Sequence, residues 1–264
     1  MLTFVGLGLY DERSVTVAGR EAIRGADRAF AEFYTSKLAG TTLEALAAHH
    51  GIDIERRDRS GVEESPDEIL SAASDGDVVF LTAGDTMIST THVDLRLRAI
   101  DDGIETRVIH GTTAETAASS LTGLQNYRFG KATTLPFQYA HAGDDVPGSV
   151  VETISDNADR GLHTLVYLDI KVGPGPRGTD REEYMSADRA AERLTDALGG
   201  DRLGVVVARA GSPDPVVAAD RLSVLADGAF GAPLHLLIIP GDLHHIERDA
   251  LRALGGAPES VLDG

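Results

Sequence analysis

The chain has no cysteine and no tryptophan in its 264 residues. Without cysteine there is no disulfide, thiolate zinc site, iron–sulfur cluster or cysteine nucleophile. Lysine is scarce too: Lys37, Lys131 and Lys171 are its only occurrences among 24 basic residues. No apolar run approaches the ~20 residues of a membrane-crossing helix; the longest lies around Leu234 to Pro240. The opening MLTFVGLGLYDER lacks a basic region followed by a long apolar stretch. No secretory signal is therefore expected, and a soluble cytoplasmic protein is. There is no G-x-S-x-G elbow and no Gly-rich loop ending in Gly-Lys-Ser/Thr. Serine-hydrolase and P-loop readings are left without support.

Negative charge is what the chain has in excess. Acidic residues number 42 against 24 basic ones, a formal net charge of -18 at pH 7. A protein that coats phosphates needs basic patches, so no nucleic-acid partner is expected. An acidic surface could attract a basic partner. Because the acids run along the whole chain, we read them instead as a solvated carboxylate shell suited to a salty cytoplasm. A hydrophobic share of 42% with 25% charged residues is globular.

Apolar runs ending in Gly- or Thr-rich turns alternate with helical periodicity. Strands are expected at Leu2–Leu9, Arg28–Tyr34, Ile52–Arg57, Asp77–Leu81 and Glu105–His110. Helices are expected at Val15–Gly25, Thr42–His49, Ser65–Ala73 (Ser65 as cap) and Val93–Asp101. Beyond Thr122 the pattern changes. Asn126–Gly148 reads as loop, His163–Lys171 as one strong strand, and the segment after Gly173 up to Glu183 as a loop or mobile excursion. Further strands are expected at Leu203–Arg209 and Leu234–Ile239, with helices at Val150–Asp159, Ser186–Leu198 and Ile246–Leu254. Such alternation implies an α/β protein with mostly parallel strands. A boundary near Gly111 divides it into residues 1–111 and 112–264.

The turns at the strand ends carry the candidate chemistry, because ligands of open α/β sheets bind outside the carboxyl ends of the strands. Gly6-Leu7-Gly8 begins like a dinucleotide fingerprint, with Glu32 placed for a ribose hydroxyl. The third glycine is replaced by Asp11, however, whose carboxylate would repel a pyrophosphate. A ligand without phosphate suits this turn better. Asp85, after Gly84, either meets an amino-bearing ligand or caps a turn. His110-Gly111-Thr112-Thr113 either offers backbone donors to a ligand or starts a helix. Adjacent residues on a helix point about 100° apart, so His244 and His245 are not expected to share a metal. His235, inside a strand, reads as a core or cleft histidine.

Several segments resemble a known family in order along nearly the whole chain. They are FVGLGLYDERSVT, AEFYTSKLAGTTL, FLTAGDTMISTTH, VIHGTTA, GLHTLVYLDIK, VVVARAGS, LLIIPGDLHHIE and GAPESVL. This set is similar to the diphthine synthase family, within the tetrapyrrole-methylase-like class of S-adenosylmethionine-dependent methyltransferases. The resemblance implies two α/β domains with the methyl donor in the cleft between them, and a homodimer. It implies methylation, and in archaeal members trimethylation, of the amino group of a 3-amino-3-carboxypropyl-histidine on translation elongation factor 2, giving diphthine. Transferred position by position, the family's donor contacts fall on Leu9, Asp85, Ile88, Thr113, Ala114, Leu168, Ala210 and His235. No metal is implied and no catalytic base is assigned. The chain departs from the family pattern at Thr86, where proline is common, and at Thr113-Ala114, where serine and an aliphatic residue are common. Within this fold the alternatives are a methyltransferase of a tetrapyrrole or corrinoid precursor, or a non-catalytic nucleotide-binding module.

Overall fold

The computed structural model describes residues 1–140, 145–174 and 180–262. The chain forms two compact units, Met1–Thr113 with Ile170–Glu182, and Ala114–Asp169 with Glu183–Gly264. A division at Gly111 leaves Ile170–Glu182 in the second half. Its contacts place it with the first unit: Val172 packs against that unit's core, and Arg56 lies 3.9 Å from Glu182.

Period-two alternation builds the sheet of the first unit. Strands β1 (Leu2–Gly6), β2 (Arg28–Glu32), β3 (Ile54–Arg57), β4 (Val78–Thr82) and β5 (Thr106–Ile109) lie wholly parallel in the order β3-β2-β4-β1-β5. Phe4, Phe30 and Phe80 point to one face and pack with Ile69 and Leu95. Val5, Ala31 and Leu81 point to the other and pack with Ile23 and Leu46. Each of these fully buried phenylalanines contributes about 1.5–3 kcal/mol. Helices α1 (Val17–Gly25) and α2 (Leu43–His50) cover the second face, α3 (Asp67–Asp75) and α4 (Val93–Asp101) the first. Thr16 and Thr42 cap α1 and α2, accepting from the backbone N–H groups of Gly19 at 3.1 Å and Ala45 at 3.2 Å. The connections leaving the neighbours β1 and β4 run to opposite faces of the sheet. That makes their carboxyl ends the topological switch point, where open α/β sheets hold ligands.

The second unit is built differently. Its sheet has the order β11-β10-β12-β7-β6, from β6 (Thr133–Leu135), β7 (Thr164–Leu168), β10 (Leu203–Ala208), β11 (Val216–Arg221) and β12 (His235–Ile239). Only β6 and β7 pair in parallel; the other three pairings are antiparallel, so the mostly parallel expectation holds for the first sheet alone. Helices α6 (Gly148–Ala158), α7 (Ala187–Leu198) and α8 (Leu222–Ala226) pack on one face. Helices α5 (Ala114–Thr122) and α9 (His245–Gly255) pack on the other, and α10 (Glu259–Leu262) ends the described chain.

Several expectations are corrected. The strand expected over His163–Lys171 breaks at Asp169, whose backbone N–H donates to Leu135 and whose carbonyl accepts from Met185. β7 ends there and β8 (Ile170–Pro174) begins. β8 pairs with β9 (Asp180–Tyr184), so the expected excursion is a two-stranded sheet in its described parts; residues 175–179 lie outside the described residues. The expected loop at Asn126–Gly148 contains β6, too short at three residues to show a period. Ser65 caps nothing: the cap position of α3 is Pro66, without a side-chain hydrogen bond, because Ser65 closes the preceding turn onto Ser60.

Candidate functional site

At the switch point three turns touch through glycine. A Cβ on Gly6 would lie 2.5 Å from the Gly111 nitrogen and 2.6 Å from the Gly84 carbonyl oxygen. A Cβ on Gly111 would fall against that same oxygen. Gly8 and Gly84 exchange backbone hydrogen bonds, 3.1 Å to the Gly84 oxygen and 2.7 Å to the Gly8 oxygen. Both have positive φ, +73° and +78°, a conformation glycine adopts without penalty. The turns after β1, β4 and β5 thus meet backbone against backbone.

Asp85 ties two of these turns together. Its carboxylate is 4% exposed. Oδ1 accepts from the Met87 N–H at 2.9 Å. Oδ2 accepts from the Gly111 N–H at 3.2 Å and faces His110 Nδ1 at 2.8 Å. Of the two readings the sequence left open, the structure adds a clear part to the turn-capping one. The Asp85 side chain bridges the β4 and β5 turns. Leu9, Asp85, Ile88 and Thr113 all stand on these strand-end turns of the first unit, and Ile88 is 45% exposed.

In the second unit Leu168, Ala210 and His235 gather at one end of the sheet. Leu168 closes β7, His235 opens β12 opposite Ala208, and Ala210 follows the end of β10. His235 is 5% exposed, with both ring nitrogens engaged. Nδ1 accepts from the Ala187 N–H at 3.1 Å, so Nε2 carries the proton and donates to the Ala232 carbonyl at 3.0 Å. Burial lowers its pKa below the ordinary histidine value, which keeps the ring neutral. Ala114 is the first residue of α5 and of the second unit.

Other candidates are spent elsewhere. Glu32 is fully buried, and its carboxylate accepts from the N–H groups of Tyr34 and Thr35 and from the Thr35 hydroxyl. It is committed to its own turn rather than open to a ribose. His244 caps α9: its Nδ1 accepts from Ile246 N–H at 3.4 Å, while Glu247 accepts from His244 N–H at 2.8 Å. Glu247 also accepts from Gln125 N–H and from His163 Nε2 at 3.0 Å. Burial alone would raise the Glu247 carboxyl, but these donors outweigh it and the net shift is downward.

Backbone conformation marks positions that residue types conceal. Among the described residues, Tyr10, Ser89 and Arg209 are the non-glycine residues with positive φ, at 89°, 57° and 52°. Each adjoins an expected donor contact: Leu9, Ile88 or Ala210. The Arg209 guanidinium is turned onto the carbonyls of Phe230 and Asp214.

Comparison with known proteins fits this geometry. The family model described as "Tetrapyrrole (Corrin/Porphyrin) Methylases" matches residues 1–226. The diphthine synthase of Natronomonas pharaonis is 74% identical over 99% of this chain and 98% of its own length. That of Halobacterium salinarum is 70% identical over 99% of this chain and 100% of its own. A crystal structure of diphthine synthase superposes with a TM-score of 0.88 at 38% identity, covering 99% of this chain and 98% of that one. A putative diphthine synthase from Entamoeba histolytica gives 0.83 at 32% identity, covering 98% and 99%. These relatives from salt-loving archaea also accord with the acidic composition. The chain belongs to the tetrapyrrole methylase family, stands among its diphthine synthases, and is a methyltransferase.

Proposed function

We propose that the protein transfers methyl groups from S-adenosylmethionine to the amino group of the 3-amino-3-carboxypropyl-histidine of translation elongation factor 2. Three transfers give diphthine. The observation that carries the reading is the meeting of the β1, β4 and β5 turns at Gly6, Gly84 and Gly111, at the switch point of a parallel sheet. The three positive-φ residues beside Leu9, Ile88 and Ala210 support it, since such backbone strain concentrates at ligand sites.

The residues suit a nucleoside donor without phosphate. Leu9 and Ile88, the latter 45% exposed, offer apolar surface. Thr113, Ala114 and Ala210 are small and present their backbone. The Arg209 guanidinium is occupied, and Asp11, which accepts from Arg13 N–H at 3.0 Å, adds to the stretch after β1 a carboxylate that would repel a phosphate. When bound, the donor supplies a methyl group on a sulfonium, a leaving group already activated. The chain's task is then to hold nitrogen and methyl carbon in line, an orientation effect. The side chains of Asp85 and His235 are held by protein partners, so in this reading they shape the turns around the donor.

The protein works in the cytoplasm as a homodimer. Val93, Leu97 and Ile100 present an exposed apolar stripe along α4, at 55%, 55% and 49%, a face that suits a second copy. No helix among the described residues is long and apolar enough to cross a membrane. The deciding experiment is mass spectrometry of the elongation factor carrying the unmethylated side chain, after incubation with protein and donor. Three methyl increments on that residue are expected. An unchanged mass, with the donor shown to bind, would overturn the acceptor assignment.

A further inference from the structure

The amine attacks only as its free base, and neither Asp85 nor His235 is open to take its proton. His110 is. Its side chain is 77% exposed at the end of β5, immediately before Gly111. The charged group facing its ring is Asp85, from the turn after β4, with Oδ2 2.8 Å from Nδ1. That carboxylate already accepts from the N–H groups of Met87 and Gly111, so it is held rigidly as an acceptor. A carboxylate acceptor requires the proton on Nδ1. The Nε2 lone pair is left bare, on the side of the ring away from Asp85, as in other bases oriented by a carboxylate.

We propose that His110, oriented by Asp85, is the base that deprotonates the acceptor amine before each methyl transfer. This rests on the donor reading above, which puts the reacting methyl near the same turns. The ammonium N–H proton passes to His110 Nε2 while the electron pair stays on nitrogen. That pair then forms the N–C bond to the methyl carbon. The C–S bond breaks with its electrons going to sulfur, so the positive charge moves from sulfur to nitrogen. The exposed imidazolium releases its proton to water, one for each methyl transferred. The third transfer leaves a quaternary nitrogen with no proton to lose, and the sequence stops.

The test pairs His110→Ala with His110→Asn, whose amide N–H keeps a donor toward Asp85 while removing Nε2. Both are expected to lower kcat at pH 7 by roughly 100-fold, the low end for a general base. Both should bind S-adenosylhomocysteine within threefold of wild type, and added imidazole should restore part of the rate to the alanine variant. Nitrogen NMR of the wild-type protein alone should show the neutral ring's tautomer with its proton on Nδ1, facing Asp85, and not on Nε2. A wild-type rate in His110→Asn from pH 6 to 9 overturns the proposal, as does a loss of S-adenosylhomocysteine affinity matching the loss of rate. A wild-type protein that binds no S-adenosylhomocysteine overturns the donor reading itself, and this inference with it.

Discussion

Replacing Asp85 by asparagine tests the bridge between the turns with the smallest change of shape. The aspartate accepts from Met87 and Gly111 N–H groups and from His110. Asparagine keeps one acceptor oxygen and substitutes an NH2 for the other. If the oxygen stays with Met87, the NH2 confronts the Gly111 N–H. If the amide flips, it confronts Met87 instead. Either way one backbone donor loses its partner inside packed turns. A charge-assisted bond is worth about 1.5–3 kcal/mol, and an orphaned buried donor costs about 1–3 kcal/mol. Part of this is recovered because the His110 ring, with its proton on Nε2, can accept from the new NH2. The net loss is about 2–4 kcal/mol.

For a chain of this length each kcal/mol moves the melting temperature by about 2–4 °C. Asp85→Asn should therefore melt roughly 5–15 °C below wild type in a thermal scan at fixed salt. Calorimetry well below that melt should show S-adenosylhomocysteine binding at least tenfold weaker, because the turns bearing Ile88 and Thr113 lose their common tie. An asparagine variant that melts within 1 °C of wild type and binds with unchanged affinity would refute the bridge.

Gly6→Ala should cost about 3 kcal/mol or more, because its methyl meets backbone atoms of two other turns that cannot rotate away. Gly103→Ala, at φ +76° in open space, should cost only about 1–2 kcal/mol, and equal losses in chemical denaturation would refute the close-packing account. Burial pushes His50 and His92 down to about 4. The unfolded chain, with histidines near 6.5, then binds protons that the folded chain refuses. Stability should be full above about pH 6.5 and fall as pH drops toward 4, partly offset by Glu32, which burial shifts upward. A melting temperature flat or rising from pH 7 to 4.5 would contradict this. With a net charge of -18, moving from about 2 M to 0.1 M KCl lengthens the screening distance from under 3 Å to about 10 Å. The protein should melt several degrees lower in dilute salt, and no change would count against carboxylate repulsion.

The first unit was legible because each of its signals is local. VVFLT is apolar at its first four positions and sits buried on both faces, as a central parallel strand must. The helices expected from Val15 and Thr42 start at Val17 and Leu43, with Thr16 and Thr42 as their caps. The second unit was less legible because its strands are ordered by partners far away in sequence. β11 reads VVAADR, with no alternation of apolar and polar residues, and exists because β10 supplies six paired residues beside it. β6 is only three residues long and owes its assignment to β7. Asp169 ends β7 through bonds to Leu135 and Met185, 34 residues before it and 16 after, separations over which hydrophobic periodicity is silent.

The same contrast governs the site. Glycine types announce Gly6, Gly84 and Gly111, but only coordinates reveal that the three touch, since 27 to 105 residues separate them in the chain. Tyr10, Ser89 and Arg209 carry no sequence signal at all: tyrosine, serine and arginine seldom take positive φ, and nothing in their types foretells it. Asp85 was picked out by a Gly-Asp pair that is equally at home in any turn. Its purpose follows from two backbone donors contributed by two turns, and from His110, a residue which motif spacing treats as a mere neighbour of Gly111. Sequence could name the acid but not its partner, and the partner decides the chemistry. A carboxylate that faces solvent would recruit a cationic ligand. One that holds two backbone N–H groups and orients an imidazole makes a rigid floor with a basic nitrogen at its edge.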